Sequence, residues 1–304
     1  MSSTTRRRKH KALYYVRSIS VQVWSHPANQ DHRLRALLRA FAWQVRKRVS
    51  SGPFTYTLPG GALIRCHDDN TVASQLWYFG AYTEFDELHF MTRYLRAGDC
   101  VIDAGANIGL YTFMAAPIVG PTGRVDAFEP GPEAAARFTE NESLNDLPQI
   151  TFHQVALADH SGEAHFSTGW DVSNRMTGTE TPTSITVPVT TLDEVLAERN
   201  YAYAKLDVEG AEHLALVGAQ RLLREQKPPV WQVEVFGSML QSMGSSVRDI
   251  ETIFKEHDYV FASYDACTNS LVEVATLASD GKNRLAIARS HWAVVEDRLQ
   301  EAAS

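Results

Sequence analysis

The chain has 304 residues, 44% of them apolar, which suffices for one large α/β domain with an extension or for two small domains. Its three cysteines, Cys66, Cys100 and Cys267, are scattered and odd in number, which argues against a disulfide framework and a cysteine metal site and for a reducing compartment. The net charge of −7 hides an asymmetry: residues 1–50 hold 12 Lys or Arg against Asp31 alone, a balance of +11, and the remainder carries −18.

No apolar run reaches the roughly 18 to 20 residues that cross a bilayer, and the chain does not open on a charged-then-apolar signal pattern. A cytoplasmic protein without a transmembrane segment is the expectation. The acidic main body argues against nucleic acid as a partner, because a duplex needs a positive face.

In chain order, the first 30 or so residues contain Arg6-Arg7-Arg8-Lys9 and little periodicity, and read as a basic arm. From His32 onward Leu34, Leu37, Leu38, Phe41 and Val45 recur at helical spacing, with Arg33, Arg35, Arg39, Arg46 and Arg48 among them. Such a helix suits an anionic membrane or an acidic partner. The acidity of the rest of the chain favours the acidic partner, either the main domain or a second subunit, so a homodimer through this helix is one expectation. The Arg-rich, acid-poor opening also has the composition of an organellar targeting segment.

Gly52-Pro53 and Pro59-Gly60-Gly61 punctuate short strands. The aromatic stretch Trp77 to Glu84 follows, then a helical pattern from Glu84 to Leu95. The aromatics suit either a pocket wall or the core, and their spacing favours the core.

Cys100 to Thr112 is a short apolar run ending on Asp103, then a turn with Gly105 and Gly109, then a helix start. A glycine loop opening a helix lets a ligand approach the main chain and presents unpaired N–H groups to it. Glu129 closes the next strand, Arg124 to Glu129, about 20 residues past Gly109, where the dinucleotide fingerprint places an acid on a ribose hydroxyl. A nucleoside-containing cofactor is implied.

Beyond Glu129, helices and strands alternate. The pattern predicts a helix from Pro132 to about Asn145, a strand Ile150 to Leu157, and a period-2 segment Glu163 to Ser167 pairing with Ser184 to Thr190. Between the last two lies a polar stretch holding Trp170, Asn174, Arg175 and Met176, of the length of a substrate-facing lid. Next come a helix Leu192 to Arg199, a strand Tyr201 to Val208, a helix Ala211 to Arg224 and a strand Val230 to Phe236. A helix Val247 to His257 and strands Tyr259 to Tyr264 and Leu285 to Arg289 complete the series. This alternation predicts a mainly parallel sheet covered on both faces, with ligands beyond the strand carboxyl ends, where Asp103, Glu129, Asp207 and Glu234 fall. The expected division is a basic arm and helix at 1–50, a cap at 51–98, a cofactor domain at 99–292 and a tail at 293–304.

Five segments occur in order: Val101 to Gly109, Ala127-Phe-Glu-Pro130, Ala156-Leu-Ala-Asp159, Val187 to Asp193, and Lys205-Leu-Asp-Val-Glu-Gly-Ala-Glu212. Together they resemble the FkbM family of S-adenosylmethionine-dependent methyltransferases, over roughly Tyr78 to Tyr264. The resemblance implies a class I methyltransferase fold, a Rossmann-like sheet of seven strands with the last antiparallel. It implies that Asp103, Gly105, Asn107, Gly109 and Thr112 shape the cofactor pocket, that Glu129 with Pro130 takes the ribose, and that Ala156 and Leu157 border the adenine. Tyr78 and Glu84 are implied near the pocket, and Asp207 at the cofactor's amino-acid end. By the same analogy the substrate is a hydroxylated small molecule, sugar-bearing or polyketide-like.

Methylating a hydroxyl needs alignment and a base or a metal near the oxygen. Asp207, Glu209, Glu212 and His213 cluster around one strand-to-helix turn, with Glu234 on the next strand's end; Asp207, Glu209, Glu234 and His213 are the catalytic candidates. Each has a structural alternative: Asp207 on the cofactor, Glu209 at a helix dipole, Glu212 and His213 at the surface. A divalent metal on Asp207, Glu209 and Glu234 is conceivable, but no spacing demands one and none is expected. The rivals are a nicotinamide-dependent oxidoreductase, disfavoured because the loop lacks G-x-G-x-x-G spacing, and a cofactor-binding scaffold without turnover that works through the basic arm.

Overall fold

The computed structural model describes residues 17–49, 52–168, 176–177, 182–196, 199–277 and 280–302. The arm at 1–16 and the loop positions Trp170, Asn174 and Arg175 lie outside the described residues. The chain divides into a smaller unit, Met1–Thr55 with Cys66–Phe85, and a larger one, Tyr56–Arg65 with Asp86–Ser304.

Apolar strand segments in the larger unit assemble into an eight-stranded sheet. The strands are β1 (Cys100–Ala104), β2 (Arg124–Phe128), β3 (Ile150–His153), β4 (Tyr201–Leu206), β5 (Val230–Phe236), β6 (Tyr259–Asp265), β7 (Ser270–Val274) and β8 (Asp280–Ala288), in the spatial order β7-β6-β8-β5-β4-β1-β2-β3. The ladders from β5 through β4, β1 and β2 to β3 are parallel. β8 runs antiparallel between β5 and β6. Order and direction match the expected seven strands, and β7 is an eighth, antiparallel to β6 at the edge. It was not legible because none of its five residues is buried, so no alternation marks it.

The segment Ile150 to Leu157 is broken: β3 ends at His153, and Ala156–Leu157 leaves for a second sheet, ordered Ala156–Leu157, Ser184–Thr190, Gly162–Ser167, Met176–Thr177. The expected antiparallel pairing of the period-2 segment is present. β8 begins five residues before the expected Leu285, because its polar first half is held by pairing with β5 rather than by an apolar pattern.

The helices of this unit include α1 (Phe85–Tyr94), α2 (Leu110–Val119), α3 (Pro132–Glu142), α4 (Glu212–Val217), α5 (Gln220–Arg224), α6 (Gly237–Ser242), α7 (Val247–Glu256) and α8 (Trp292–Glu301). α2 is apolar nearly all round and buried on almost every side. The single helix expected over Ala211 to Arg224 is two, α4 and α5. At the break a Cβ on Gly218 would stand 2.1 Å from the Ala158 carbonyl oxygen, and the Asp193 carboxylate accepts from the amides of Arg221 (2.6 Å) and Leu222 (3.2 Å), capping α5. The helix expected to reach Arg199 is only Leu192–Val195. α8 covers most of the segment read as a tail and buries Val295 and Leu299.

The smaller unit holds a helix at 17–25, a 3-10 turn Pro27–His32, and the helices Arg33–Val49 and Thr71–Phe79. Ala36, Ala40 and Trp43 form the inward stripe of Arg33–Val49, with Trp43 stacked on Trp77 and donating to Ser74 Oγ at 3.0 Å. Asn70 caps the second helix through the Ala73 amide.

One polar cluster ties three parallel strands together. Asp126 of β2, 1% exposed, accepts from Arg124 Nε (2.7 Å), from Tyr201 of β4 (2.9 Å), and contacts His153 of β3 (3.0 Å). Burial alone would raise its pKa, but the bonds to His153, Arg124 and Tyr201 outweigh burial and hold it below the usual carboxylate value. A depressed folded pKa stabilises above the unfolded value, about 3.9, and that stabilisation fades as pH falls. Asp126→Ala should lose about 3 kcal/mol at neutral pH in urea unfolding, and wild type and variant should converge in acid.

Candidate active site

The glycine loop is set by two close approaches. Gly105 has φ +83°, and a Cβ there would stand 1.8 Å from the Asp207 carbonyl oxygen. No other residue fits at that crossing of the ends of β1 and β4. At Gly109, φ +95°, a Cβ would meet the Phe113 ring at 2.4 Å. Packing alone therefore requires both glycines.

The amides of the loop itself, ahead of the helix, are occupied. Gly105 and Ala106 both donate to the Phe128 carbonyl (3.0 and 2.9 Å) and Gly109 to that of Ala106 (2.8 Å). Asn107 donates to Glu129 Oε2 (3.0 Å), and Ile108 to the Asn107 side chain (2.8 Å). The loop folds back on β2 instead of forming an anion cradle.

What lines the strand ends is carboxylate. Glu129 is buried and receives amides from Gly131 (2.7 Å) and Asn107, yet burial still pushes it up to about 7. A carboxylate has about four acceptor positions, so two remain for other donors. Asp103, 1% exposed, accepts from Thr112 Oγ1 at 2.6 Å; its Oδ1 has no partner, and burial raises its pKa. Pro130 is half-buried beside Glu129, and Ala156 and Leu157 are buried apolar residues just past β3.

Across the sheet the polar side chains fall in rows. Lys205 of β4 is in register with Asp103 of β1 and Gln232 of β5, and Glu234 with Asn283 of β8. Lys205 is 4% exposed, donates to Asp207 Oδ2 at 2.7 Å and lies over the Tyr111 ring at 4.8 Å. Burial would raise Asp207, but the charge of Lys205, with Glu234 nearby, keeps it low. Gln232 accepts from Tyr203 (2.6 Å) and donates to Tyr111 (3.0 Å). Gln232 and Asn283 line a small cleft of about 90 Å³, together with Asp86, Glu87, Phe90 and Tyr264.

The other candidates take different positions. Glu209 is half-buried with φ +52°, inside the turn. Glu212 is not at the surface: it is 2% exposed, its Oε1 accepts from the amides of Val208 (3.1 Å) and Gly210 (3.0 Å), and burial pushes it up to about 7. It fixes the turn. His213 lies within electrostatic reach of Asp249 on α7, whose carboxyl it helps keep low. Tyr78 and Glu84 belong to the smaller unit, where Tyr78 is core: its carbonyl accepts from Asn29 (2.9 Å) and its hydroxyl from Gln44. Among the described residues no His, Cys, Asp and Glu cluster could hold a metal.

Sequence reasoning missed Lys205, Gln232 and Tyr111. Their signal was a lone polar residue inside each of two apolar strands. It also missed Phe166 of the second sheet, 3.3 Å from where a Cβ of Gly131 would stand.

A model of the FkbM methyltransferase domain matches residues 103–261, just over half of the chain, from the Asp103 of β1 to β6. The chain belongs to the FkbM methyltransferase family. The methyl donor expected of such a chain is S-adenosylmethionine. An FkbM methyltransferase of Methylobacillus flagellatus has 17% identity and a TM-score of 0.43, with 84% of this chain and 60% of that one covered. An S-adenosylmethionine-dependent O-methyltransferase of Thermotoga maritima has 16% identity and a TM-score of 0.37, with 67% and 64% covered. The chain thus spans about three fifths of the length of each. No curated protein sequence matches it.

The residues at the FkbM strand ends fit this donor. Glu129 has acceptor positions that ribose hydroxyls would fill, and sulfonium and ammonium charges would suit a site where Asp103, Glu129 and Asp207 outnumber Lys205. The partnerless Asp103 Oδ1 marks where a donor is missing. Gly105→Ala should destabilise the fold by about 3 kcal/mol or more in urea unfolding, from the clash and the left-handed φ; full stability in the variant would show that the β1–β4 crossing is looser than described.

Proposed function

We propose that the protein transfers a methyl group to a hydroxyl of a neutral small molecule, sugar-like or polyketide-like. The observation that carries this reading is the Lys205–Asp207 ion pair (2.7 Å) at the end of β4, with Glu234 on the neighbouring strand β5.

When bound, S-adenosylmethionine supplies a methyl group on a positively charged sulfur. Glu129 holds the ribose hydroxyls, Ala156 and Leu157 border the adenine, and Asp103 and Thr112 support the loop between them. Phe90 and Tyr264 give the acceptor an apolar wall in the cleft, and Gln232 and Asn283 give it hydrogen-bond partners. Glu234 would take the proton of a hydroxyl held before it, while the bound donor would supply the methyl group that the oxygen receives. Lys205 keeps Asp207 ionised and engaged, so the proton passes to the Glu234 carboxylate. Glu209 and His213 are the weaker catalytic candidates, since Glu209 belongs to a turn braced by Glu212 and His213 lies toward Asp249.

The nicotinamide reading is disfavoured on a specific ground: the loop amides are spent internally, and a pyrophosphate would meet carboxylates. Glu234→Gln tests the proposal, because the amide keeps the shape of the side chain but cannot take a proton. In an assay of S-adenosylhomocysteine release with alkyl glycosides, phenols and hydroxylated macrolactones as acceptors, the variant should bind S-adenosylhomocysteine as wild type does. It should turn over roughly 10² to 10⁴ times more slowly. Unchanged turnover would remove Glu234 from the chemistry, and tight binding without product from any acceptor in the wild type would favour the scaffold reading.

A further inference from the structure

The helix Arg33–Val49 has two unlike faces. Ala36, Ala40 and Trp43 point inward and are buried. On the opposite side Leu34 (70%), Leu38 (69%), Phe41 (70%), Val45 (40%) and Val49 (77%) are exposed. At 100° per residue these five occupy an arc of about 80°, along a helix roughly 25 Å long. Scattered exposed apolar residues need no explanation, but a continuous stripe does. Val21 and Trp24 of the preceding helix are exposed as well, with Arg33 over the Trp24 ring at 5.3 Å.

Charge narrows the choice of what covers this stripe. Arg33–Val49 contains Arg33, Arg35, Arg39, Arg46, Lys47 and Arg48 and no acid. Arg35, Arg39 and Arg46 flank the stripe on one side, and Arg33 and Arg48 on the other. The spacing of Leu34, Leu38, Phe41 and Val45 matches a coiled-coil seam. Pairing two copies in either direction would set arginines against arginines, without an acid on the helix to offset them. The covering partner must therefore be apolar along a line and anionic beside it.

We propose that this helix docks on the surface of an anionic lipid bilayer. Leu34, Leu38, Phe41, Val45 and Val49 enter the acyl boundary, and Arg33, Arg35, Arg46 and Arg48 extend to the lipid phosphates, while Arg39 is held by Asn29 and the Tyr78 carbonyl. Trp24 is of the residue type favoured at headgroup depth. The binding is peripheral, since no helix among the described residues is long and apolar enough to cross a membrane. It implies an acceptor reached at, or carried on, a membrane surface.

Vesicle co-sedimentation of the full chain tests this, with phosphatidylcholine vesicles alone and with phosphatidylglycerol added. Wild type should bind the anionic vesicles, bind neutral ones at least roughly tenfold more weakly, and release with salt. The variant L38E/F41E changes exposed positions only and leaves the residues before 17 intact. It should lose at least roughly tenfold in binding to anionic vesicles, with unchanged thermal unfolding and S-adenosylhomocysteine affinity. The proposal is overturned if wild type ignores anionic vesicles at low salt. It is equally overturned if the variant binds them as well as wild type, or if wild type is a dimer in sedimentation equilibrium that L38E/F41E converts to monomer.

Discussion

The tightest constraint in the protein is the contact of Gly105 with the Asp207 backbone. The ends of β1 and β4 meet so closely that a single methyl group on Gly105 would overlap the Asp207 carbonyl oxygen. That contact holds the glycine loop against the acidic turn, and with them the two halves of the methyl-transfer site. From it follow the register of Asp103 with Lys205 and of Lys205 with Gln232, and the row of polar side chains that crosses the sheet toward the cleft. The spacing between the glycine loop and the acidic turn is set by backbone contacts rather than by flexible side chains, which suits the alignment that the proposed methyl transfer needs.

The second governing feature is electrostatic. Glycine loops in dinucleotide proteins present their amides to a pyrophosphate; here the same kind of loop spends its amides on Phe128, Glu129 and its own turn. The site that remains is lined by carboxylates, several raised by burial, with one buried lysine. Such a site discriminates by charge, welcoming a cofactor that carries positive charge and hydroxyls and repelling one that carries phosphates. A strand and a glycine turn are common to both classes, so selectivity lies in where the amides point.

The parts of this arrangement that were legible in the sequence are those written as local pattern. Strand-helix alternation gave the sheet, and five loosely spaced motifs together gave the family. What escaped was decided by contacts between distant residues. The helix break at Gly218 depends on Ala158, sixty residues earlier. β7 carries no buried face to announce it. Glu212 looked like a surface residue one turn into a helix, and only the folded turn shows its carboxylate tying Val208 and Gly210 together. Lys205 stood inside a quoted motif without a role, because its partners Asp207 and Tyr111 come from different elements. The basic amphipathic helix was visible from its spacing, but only the structure shows which of its faces is buried and which is exposed.

The most direct measurement of the account is calorimetric titration of wild type and Glu129→Ala with S-adenosylhomocysteine, from about pH 6 to about pH 8. The Glu129 pKa, raised to about 7 by burial, must fall when ribose hydroxyls bond to its ionised form. The account therefore predicts wild-type affinity that rises as pH approaches 7 and levels off above it, with a fraction of a proton released on binding. Glu129→Ala should bind about 1 to 3 kcal/mol more weakly and lose that pH dependence. Absent binding in wild type, or a variant with the same affinity and the same pH profile, would contradict the account.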